Sequence, residues 1–186
     1  MSDRKLLKIN ELAPPIETYD IFDRKVSLGN YRGKRLLICF FRHAGCPFCN
    51  TRVHRLDAKE QELKDLGLEM LFFFESEKDI LLNSDFHRKI SPTPIISDPD
   101  RKWYTAYGIE QSFAASAKSH FKSFFSQVVR AKLDRVPVHY MKGKESFSTI
   151  PAEFLVDEFG MVRRLYYAQG LTDQMSLDLI FKFARH

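Results

Sequence analysis

Apolar residues follow two kinds of spacing along this chain, one typical of buried strands and the other of amphipathic helices. Three short, strongly apolar runs, each bounded by turn residues, predict strands buried within a sheet. They lie at 35–41, 68–74 and 95–96. After the first run, apolar residues recur at helical spacing from Cys49 to Leu66, and Gly67 follows. This pattern predicts one amphipathic helix of about five turns, with Arg52 on its polar face.

The rest of the chain contains further helical and strand patterns. Glu158-Phe159-Gly160 separates two apolar segments and is a hairpin signal. Thr172 is a suitable N-cap for the last helix. The remaining predicted elements, in chain order, are helices at 77–90, 100–107 and 112–134, strands at 152–157 and 161–167, and a helix at 172–184. The first 30 residues are interpreted as an extension with one small hairpin.

This order of elements predicts an α/β protein with a central mixed β-sheet flanked by helices. A strand, a dithiol, a helix and a second strand, followed later by a hairpin and a closing helix, form the thioredoxin-like arrangement. With 186 residues the chain is long enough for one substantial core and short for two. We therefore expect a single thioredoxin-like domain over residues 1–186, with an N-terminal extension and a helical insert at about 112–148.

Charge and hydropathy exclude several classes of partner. The formal net charge is +5, but basic residues alternate with acidic ones and no nucleic-acid motif is present, so we predict an ordinary charged surface and no nucleic-acid partner. No apolar run approaches the roughly 20 residues that span a bilayer. The charged start, Met1 to Lys5, carries no secretory signal. We expect a cytoplasmic protein with no membrane partner.

The three cysteines indicate where chemistry takes place. An odd, low number argues against a secreted disulfide scaffold. Cys46 and Cys49 form a C-x-x-C pair, which is either redox-active or half of a metal site. A zinc site needs about four ligands, and no second pair is present. We therefore predict a redox-active dithiol with no metal and no other cofactor. Cys39 lies within an apolar strand and is expected to be buried and inert.

The predicted position of the dithiol, between a strand and a helix, favours a thiolate. The N–H groups and partial positive charge of a helix N-terminus lower the pKa of a nearby thiol. Arg42 and His43 precede the pair and Arg52 follows it, so we predict that these three residues tune its pKa.

The residues of the pair itself are expected to differ in exposure. Pro47 suits the first turn of a helix, where its missing N–H group has no cost. On the helical pattern Cys49 faces the core, so we predict an exposed Cys46 and a more buried Cys49.

Short segments throughout the chain carry a family resemblance. They are Ala13-Pro14, Val26-Ser27-Leu28, Arg32-Gly33-Lys34, Gly45-Cys46-Pro47-Phe48-Cys49, Ser97-Asp98-Pro99, Ala106-Tyr107-Gly108, Ile150-Pro151 and Phe154-Leu155-Val156-Asp157. Together they resemble the peroxiredoxin-like branch of the thioredoxin superfamily, related to alkyl hydroperoxide reductase (AhpC/TSA) proteins. The resemblance covers nearly the whole chain and implies an antioxidant oxidoreductase.

The resemblance also implies which residues meet the substrate. In this family a proline at the position of Pro151 is typically cis and packs beside the dithiol. The resemblance thus implies that Ile150 and Pro151 form part of the substrate-docking surface. We predict that Pro47 and Phe48, between the two cysteines, complete it.

Two departures from the family pattern concern the dithiol. Cys49 stands where peroxiredoxins carry the peroxidatic cysteine. The family has proline seven residues before that position and threonine or serine three before it, whereas this chain has Arg42 and Cys46. The family's later catalytic arginine is also missing, since none occurs between Lys144 and Arg163. A thioredoxin-type dithiol has replaced much of the peroxide-binding apparatus.

These departures favour a thiol–disulfide oxidoreductase as the first hypothesis. Cys46 thiolate would attack a disulfide of a protein or small molecule, and Cys49 would resolve the mixed disulfide. The alternative enzyme is a thiol-dependent peroxidase that reduces hydroperoxides, in which one cysteine becomes a sulfenic acid and the other condenses with it. Family position indicates Cys49 as the peroxidatic residue, and exposure indicates Cys46. Either enzyme needs a thiol reductant.

A third hypothesis is a non-enzymatic redox sensor or binding module built on the insert at 112–148. The oligomeric state is left open, with a homodimer as one alternative.

Overall fold

The computed structural model describes residues 6–90, 92–109, 149–170 and 172–186. Within these ranges the elements follow the predicted α/β order. The strands are β1 (Glu17–Tyr19), β2 (Lys25–Ser27), β3 (Arg35–Phe40), β4 (Leu68–Phe74), β5 (Ile95–Ser97), β6 (Ala152–Val156) and β7 (Val162–Tyr167). The helices are α1 (Pro47–Asp57), α2 (Glu60–Asp65), α3 (Lys78–Leu82), α4 (Asp85–Lys89), α5 (Lys102–Ala106) and α6 (Leu177–Arg185).

The central sheet has the strand order β5-β4-β3-β6-β7. Strands β3, β4 and β5 are parallel neighbours, whereas β6 runs antiparallel to β3 and β7 runs antiparallel to β6. The predicted mixed sheet is therefore confirmed. Strand β3 lies between two neighbours and is covered on both faces, so every residue from Leu36 to Phe40 is buried, as its apolar run predicts.

Each face of the sheet carries its own hydrophobic core, because alternate residues of a strand point to opposite faces. On one face Cys39 packs in a cluster with the dithiol, Val53 of α1 and Ile180 of α6. On the other face Phe40 packs against Tyr104 of α5 and its neighbour Tyr107, with ring centroids 5.1 and 4.9 Å away. Helices α1 and α5 thus flank the same central strand from opposite sides.

Two predicted helices are each split into two. The helix expected from Cys49 to Leu66 is interrupted between α1 and α2. Lys59 leaves the helical conformation there, at φ −113°. Between the buried Leu56 and Leu63 the one apolar residue, Ala58, is exposed, so no apolar side chain holds another turn against the core. The helix expected at 77–90 is likewise α3 followed by α4, because Ser84 accepts a bond from an N–H group of α4 and caps it.

The last helix begins later than expected. Its N-cap is Ser176, whose hydroxyl accepts the Leu179 N–H group, rather than the predicted Thr172. The preceding backbone is held by the interior, since the Met175 N–H donates to Glu153 and its carbonyl accepts from Arg52. Those bonds keep the segment before Ser176 out of the helix.

At the other end of the chain, the small N-terminal hairpin is confirmed as β1 and β2. The predicted helix at 112–134 and the whole predicted insert at 112–148 lie outside the described residues. In the part of the chain that the structure describes, no helix has the length and apolarity to cross a membrane.

Candidate active site

The dithiol lies at the start of helix α1, after the loop that follows the central strand β3. Cys46 is the N-cap of the helix and Pro47 is its first residue, which confirms the predicted place of Pro47 in the first turn. The backbone holds this turn, because Cys46 N–H donates to the His43 carbonyl at 2.9 Å and Asn50 N–H donates to the Cys46 carbonyl at 3.0 Å. The first turn of α1 therefore presents its N–H groups to the Cys46 sulfur.

Both cysteines of the pair are buried, with 0% of Cys46 and 2% of Cys49 exposed. The prediction of an exposed Cys46 is therefore wrong. The reason is that the loop before the dithiol is itself drawn into the fold. Ala44 N–H donates to the Ser76 hydroxyl at 2.7 Å, and the Asn50 side-chain amide donates to the Ala44 carbonyl at 2.6 Å. These bonds place Cys46 under the surface.

Arg42 contacts both sulfurs of the pair. Its backbone N–H donates to Cys49 Sγ at 3.4 Å, and its guanidinium Nη1 donates to Cys46 Sγ at 3.7 Å. Only 1% of the residue is exposed, so the charge acts on the sulfur with little screening by solvent. One residue thus connects the end of the strand to each cysteine by a different donor.

The two thiols have opposite shifts of pKa. Burial alone would raise the pKa of Cys46, but a hydrogen bond from Cys49, the Arg42 charge and the N–H groups at the start of α1 outweigh it and lower the pKa to about 6. The pKa of Cys49 is raised well above its usual value by burial and by the neighbouring Cys46. At neutral pH, Cys46 is therefore the thiolate and Cys49 the thiol that donates to it.

The other two predicted tuning residues lie close in sequence but differ in placement. His43 is buried, and its carbonyl accepts the Cys46 N–H group. Arg52 is buried rather than on the polar face of the helix, which corrects the helical pattern. Its guanidinium forms a bidentate ion pair with Glu153, in which Nε and Nη2 donate to the two carboxylate oxygens at 2.7 and 2.8 Å. A buried charge requires such a partner. Their tuning of the dithiol stays a prediction.

The predicted docking residues approach the same end of the sheet. Ile150 belongs to the hydrophobic cluster that contains both cysteines of the pair. Pro151 leads into β6, whose first residue, Ala152, pairs with Phe40 at the end of β3. Pro47 and Phe48 are buried in the first turn of α1. The fold therefore brings Ile150 to the dithiol, and docking by these four residues stays a prediction.

Sequence reasoning missed a polar cluster at this end of the sheet, formed by the buried Glu75 and Thr149 and the half-buried Arg101. The Glu75 carboxylate accepts from the Thr149 hydroxyl at 2.7 Å and from Arg101 at 2.9 Å, while its backbone N–H donates to the Arg42 carbonyl at 3.0 Å. The sequence carried one signal for it. Glu75 follows the apolar run Leu68–Phe74, and the ends of parallel strands share one edge of a sheet.

Tyr104 was also missed, because its position resembles an ordinary core aromatic. Its hydroxyl donates to the Phe41 carbonyl, at the peptide bond next to Arg42. Arg101 stacks over its ring, with the guanidinium carbon 5.1 Å from the ring centroid.

Among the described residues, no group of three or more His, Cys, Asp or Glu side chains is arranged to hold a metal ion.

Comparison with known proteins defines the family to which this chain belongs. The AhpC/TSA family profile matches residues 9–165. The chain belongs to the AhpC/TSA family, and the expected peroxiredoxin-like relationship and thioredoxin-like fold are confirmed.

Individual relatives are more distant. The chain is 29% identical to a putative peroxiredoxin bcp of Haemophilus influenzae over 103 residues, 55% of this chain and 66% of that protein, just under two thirds of its length. It is 27% identical to peroxiredoxin Bcp of Escherichia coli over 109 residues, 58% of this chain and 69% of that protein.

Solved structures show the same fold. Peroxiredoxin Q of Xanthomonas campestris matches with a TM-score of 0.65 at 16% identity, over 95% of this chain and 96% of that chain. Peroxidoxin BcpB of Mycobacterium tuberculosis matches with a TM-score of 0.63 at 12% identity, over 96% of this chain and 94% of that chain.

Proposed function

We propose that this protein is a two-cysteine thiol peroxidase that reduces hydroperoxides, with Cys46 as the attacking cysteine and Cys49 as the resolving one. The observation that carries the proposal is the contact between the buried Arg42 guanidinium and Cys46 Sγ, at 3.7 Å. The Arg42 charge favours the thiolate form of Cys46, and the guanidinium places a cationic hydrogen-bond donor beside that sulfur. Both are needed where an anion attacks a peroxide and negative charge moves to the departing oxygen.

The first step consumes the peroxide. Cys46 thiolate attacks one peroxide oxygen and the O–O bond breaks, which leaves Cys46 as a sulfenic acid and the other oxygen as an alkoxide or hydroxide that takes up a proton. The Arg42 guanidinium stabilises the charge as it moves from the sulfur toward that oxygen. In this role Arg42 takes the place of the family's later arginine, which this sequence lacks.

The second step uses the other cysteine of the pair. Cys49 attacks the Cys46 sulfenic acid, an S–S bond forms and hydroxide leaves, to be protonated to water. An external thiol reductant then attacks the Cys46–Cys49 disulfide, and a second thiol equivalent restores the dithiol. Both sulfurs belong to the same turn of α1, so the attack needs no large movement of the chain.

Burial favours a hydroperoxide over a protein disulfide as the oxidant. A protein disulfide has to align its S–S bond with the attacking sulfur, whereas a small hydroperoxide has only to reach it. Since Cys46 is 0% exposed, the smaller oxidant fits this site better. The relatives named peroxiredoxin support the same preference.

Thiol–disulfide exchange remains the second candidate. A dithiol with one low-pKa cysteine at the start of a helix favours such exchange. In this protein we assign the exchange to the regeneration step, in which the reductant reopens the internal disulfide.

The test compares four forms of the reduced protein: wild type, Cys46→Ser, Cys49→Ser and the matched control Cys39→Ala, which removes a buried thiol outside the pair. Each is mixed with hydrogen peroxide, with an organic hydroperoxide or with oxidised glutathione, and the thiols are followed by rapid quench and mass spectrometry. We expect rapid peroxide consumption by wild type and Cys39→Ala, none above background with Cys46→Ser, and a trapped Cys46 sulfenic acid in Cys49→Ser.

Other outcomes have defined meanings. A sulfenic acid that forms on Cys49 in the Cys46→Ser variant would reverse the two roles. Slow reaction with both peroxides combined with rapid reaction with the disulfide would replace the peroxidase by the oxidoreductase.

A further inference from the structure

One peptide group lies between Tyr104 and the resolving cysteine. The carbonyl of Phe41 accepts the Tyr104 hydroxyl, and the N–H of Arg42, in the same peptide plane, donates to Cys49 Sγ at 3.4 Å. Because the peptide unit is planar, its C=O and N–H groups are rigidly linked and polarise each other. A continuous line of donors therefore runs from the Tyr104 hydroxyl through the Phe41–Arg42 peptide to the Cys49 sulfur.

We propose that Tyr104 is a positioning residue for the resolving step, acting on Cys49 through the Phe41–Arg42 peptide. The proposal rests on the proposed function and deepens it, since it assigns control of the second chemical step to a residue that touches neither sulfur. The Arg42 N–H stabilises the negative charge that Cys49 must carry when it attacks. The hydroxyl at the far end of the peptide strengthens that donor and fixes the plane in which it points.

The surrounding bonds show why the hydroxyl matters at this peptide. The backbone N–H of Phe41 donates to the Phe73 carbonyl at 2.8 Å, and the carbonyl of Arg42 accepts from Glu75 N–H at 3.0 Å. Strand β4 and Glu75, the residue that follows it, thus hold the groups on either side of the peptide. The Phe41 carbonyl is bound by the Tyr104 side chain. Removal of that bond loosens the link whose other end contacts Cys49.

Tyr104 is suited to remain a donor. Burial raises its pKa well above the usual value, and the carboxylates of Glu75 and Asp98 act in the same direction while Arg101 opposes them. Its hydroxyl therefore stays protonated over the pH range in which the dithiol works.

Two charged groups shift the pKa of Cys49 itself. They are Cys46 and Arg42, of which the first raises the pKa of Cys49 and the second lowers it. A substitution at Tyr104 leaves both in place.

The chain offers a matched control for Tyr104. Tyr107 is also buried, also packs on Phe40, and also donates its hydroxyl to a backbone carbonyl, that of Pro14 at 3.0 Å. Tyr107→Phe therefore loses the same chemical group and a similar hydrogen bond, but on the N-terminal extension rather than at the dithiol. Any effect shared by Tyr104→Phe and Tyr107→Phe reports a general loss of packing or stability.

The test isolates the resolving step from the peroxide reaction. Cys46 is converted to its methylthio mixed disulfide with methyl methanethiosulfonate, and Cys49 then displaces methanethiolate to form the internal disulfide. The rate of that displacement is followed against pH by rapid quench and mass spectrometry. In Tyr104→Phe we expect it to be about two- to fourfold slower below the pKa of Cys49, with the pH profile displaced upward. Tyr107→Phe should match wild type.

Equal rates and pH profiles in Tyr104→Phe and wild type would overturn the proposal, and so would an equal slowing in the two tyrosine variants. The same measurement is repeated with the Cys46 sulfenic acid made by hydrogen peroxide. If wild type does not react with peroxide but Tyr104→Phe still slows displacement of methanethiolate, the proposed peroxidase fails and the positioning role of Tyr104 stands.

Discussion

At the scale of single residues, Arg42 contacts the two cysteines of the pair through different donors. Its backbone N–H contacts Cys49 and its guanidinium contacts Cys46, so the charged donor bonds directly to the Cys46 sulfur and a neutral donor bonds to the Cys49 sulfur. A charge-assisted bond favours the anion more strongly than a neutral donor does. Together with the hydrogen bond from Cys49, the Arg42 guanidinium therefore lowers the pKa of Cys46.

Replacement of Arg42 by methionine tests this assignment. We expect the pKa of Cys46 to rise from about 6 by roughly one unit or more, because a hydrogen bond to a charged group is lost together with its charge. The pKa is measured from the ultraviolet absorbance of the thiolate against pH, and the peroxide reaction should slow in parallel. In Arg42→Lys, which keeps the charge, the pKa of Cys46 should lie between those of wild type and Arg42→Met. A pKa still near 6 in Arg42→Met would assign the shift to the hydrogen bond from Cys49 and to the start of helix α1 instead.

At the scale of elements, a buried ion pair joins helix α1 to strand β6. Arg52, one turn after Cys49, binds Glu153 of β6 through two parallel bonds and also donates to the Met175 carbonyl before helix α6, at 2.9 Å. Both charged residues are buried. The pair therefore links the dithiol helix to the sheet and to the C-terminal helix, and a buried charge that loses its partner is costly.

Glu153→Gln should lower the free energy of unfolding by about 3 kcal/mol, because it leaves the Arg52 charge buried without a counter-ion. The double variant Arg52→Met/Glu153→Leu should cost much less than the sum of the single changes. Denaturant unfolding of the reduced proteins measures both. The control is Glu62→Gln, which removes an exposed pair with Lys59 and should change the free energy by less than about 0.5 kcal/mol. If the loss in free energy of unfolding of the double variant equalled the sum of the losses of the two single variants, the two residues would not be energetically coupled.

At the scale of the whole molecule, the dithiol couples the stability of the reduced fold to pH. A group whose pKa is lowered on folding stabilises the folded state above its unfolded pKa, and that stabilisation is lost as the pH falls through the folded pKa. For Cys46 these limits are about 9 and about 6. Cys49 and Cys39, whose pKa values are raised, act in the opposite direction and only as the pH rises above about 9.

The reduced protein should therefore become more stable as the pH rises from about 6 to about 9. The contribution of Cys46 over this window is on the order of 3 kcal/mol. Denaturant unfolding at a series of pH values checks it, with Cys46→Ser as reference because all other titrating groups are common to both. The two curves should run parallel below pH 6 and separate above it. Curves that stay parallel up to pH 9 would mean that Cys46 titrates alike in the folded and unfolded chains.

The sequence alone determined the features that depend on local pattern. Burial of β3 from Leu36 onward and of β4 from Met70 onward follows from their apolar runs, because a central strand needs apolar side chains on both faces. The place of the dithiol at the start of a helix follows from Pro47 and the helical spacing after it. These features, with the family motifs, define the peroxiredoxin-like thioredoxin fold.

Only the tertiary structure decided which polar groups are buried and what they meet. An arginine on a helix is ordinarily solvent-exposed, so nothing local indicates that Arg52 pairs with a glutamate 101 residues away. The bond between Thr149 and Glu75 crosses 74 residues in the same way. Burial of Cys46 likewise depends on bonds that draw its loop inward. The free energy of a buried charge or thiol depends on partners that long-range packing supplies, and sequence pattern carries no record of them.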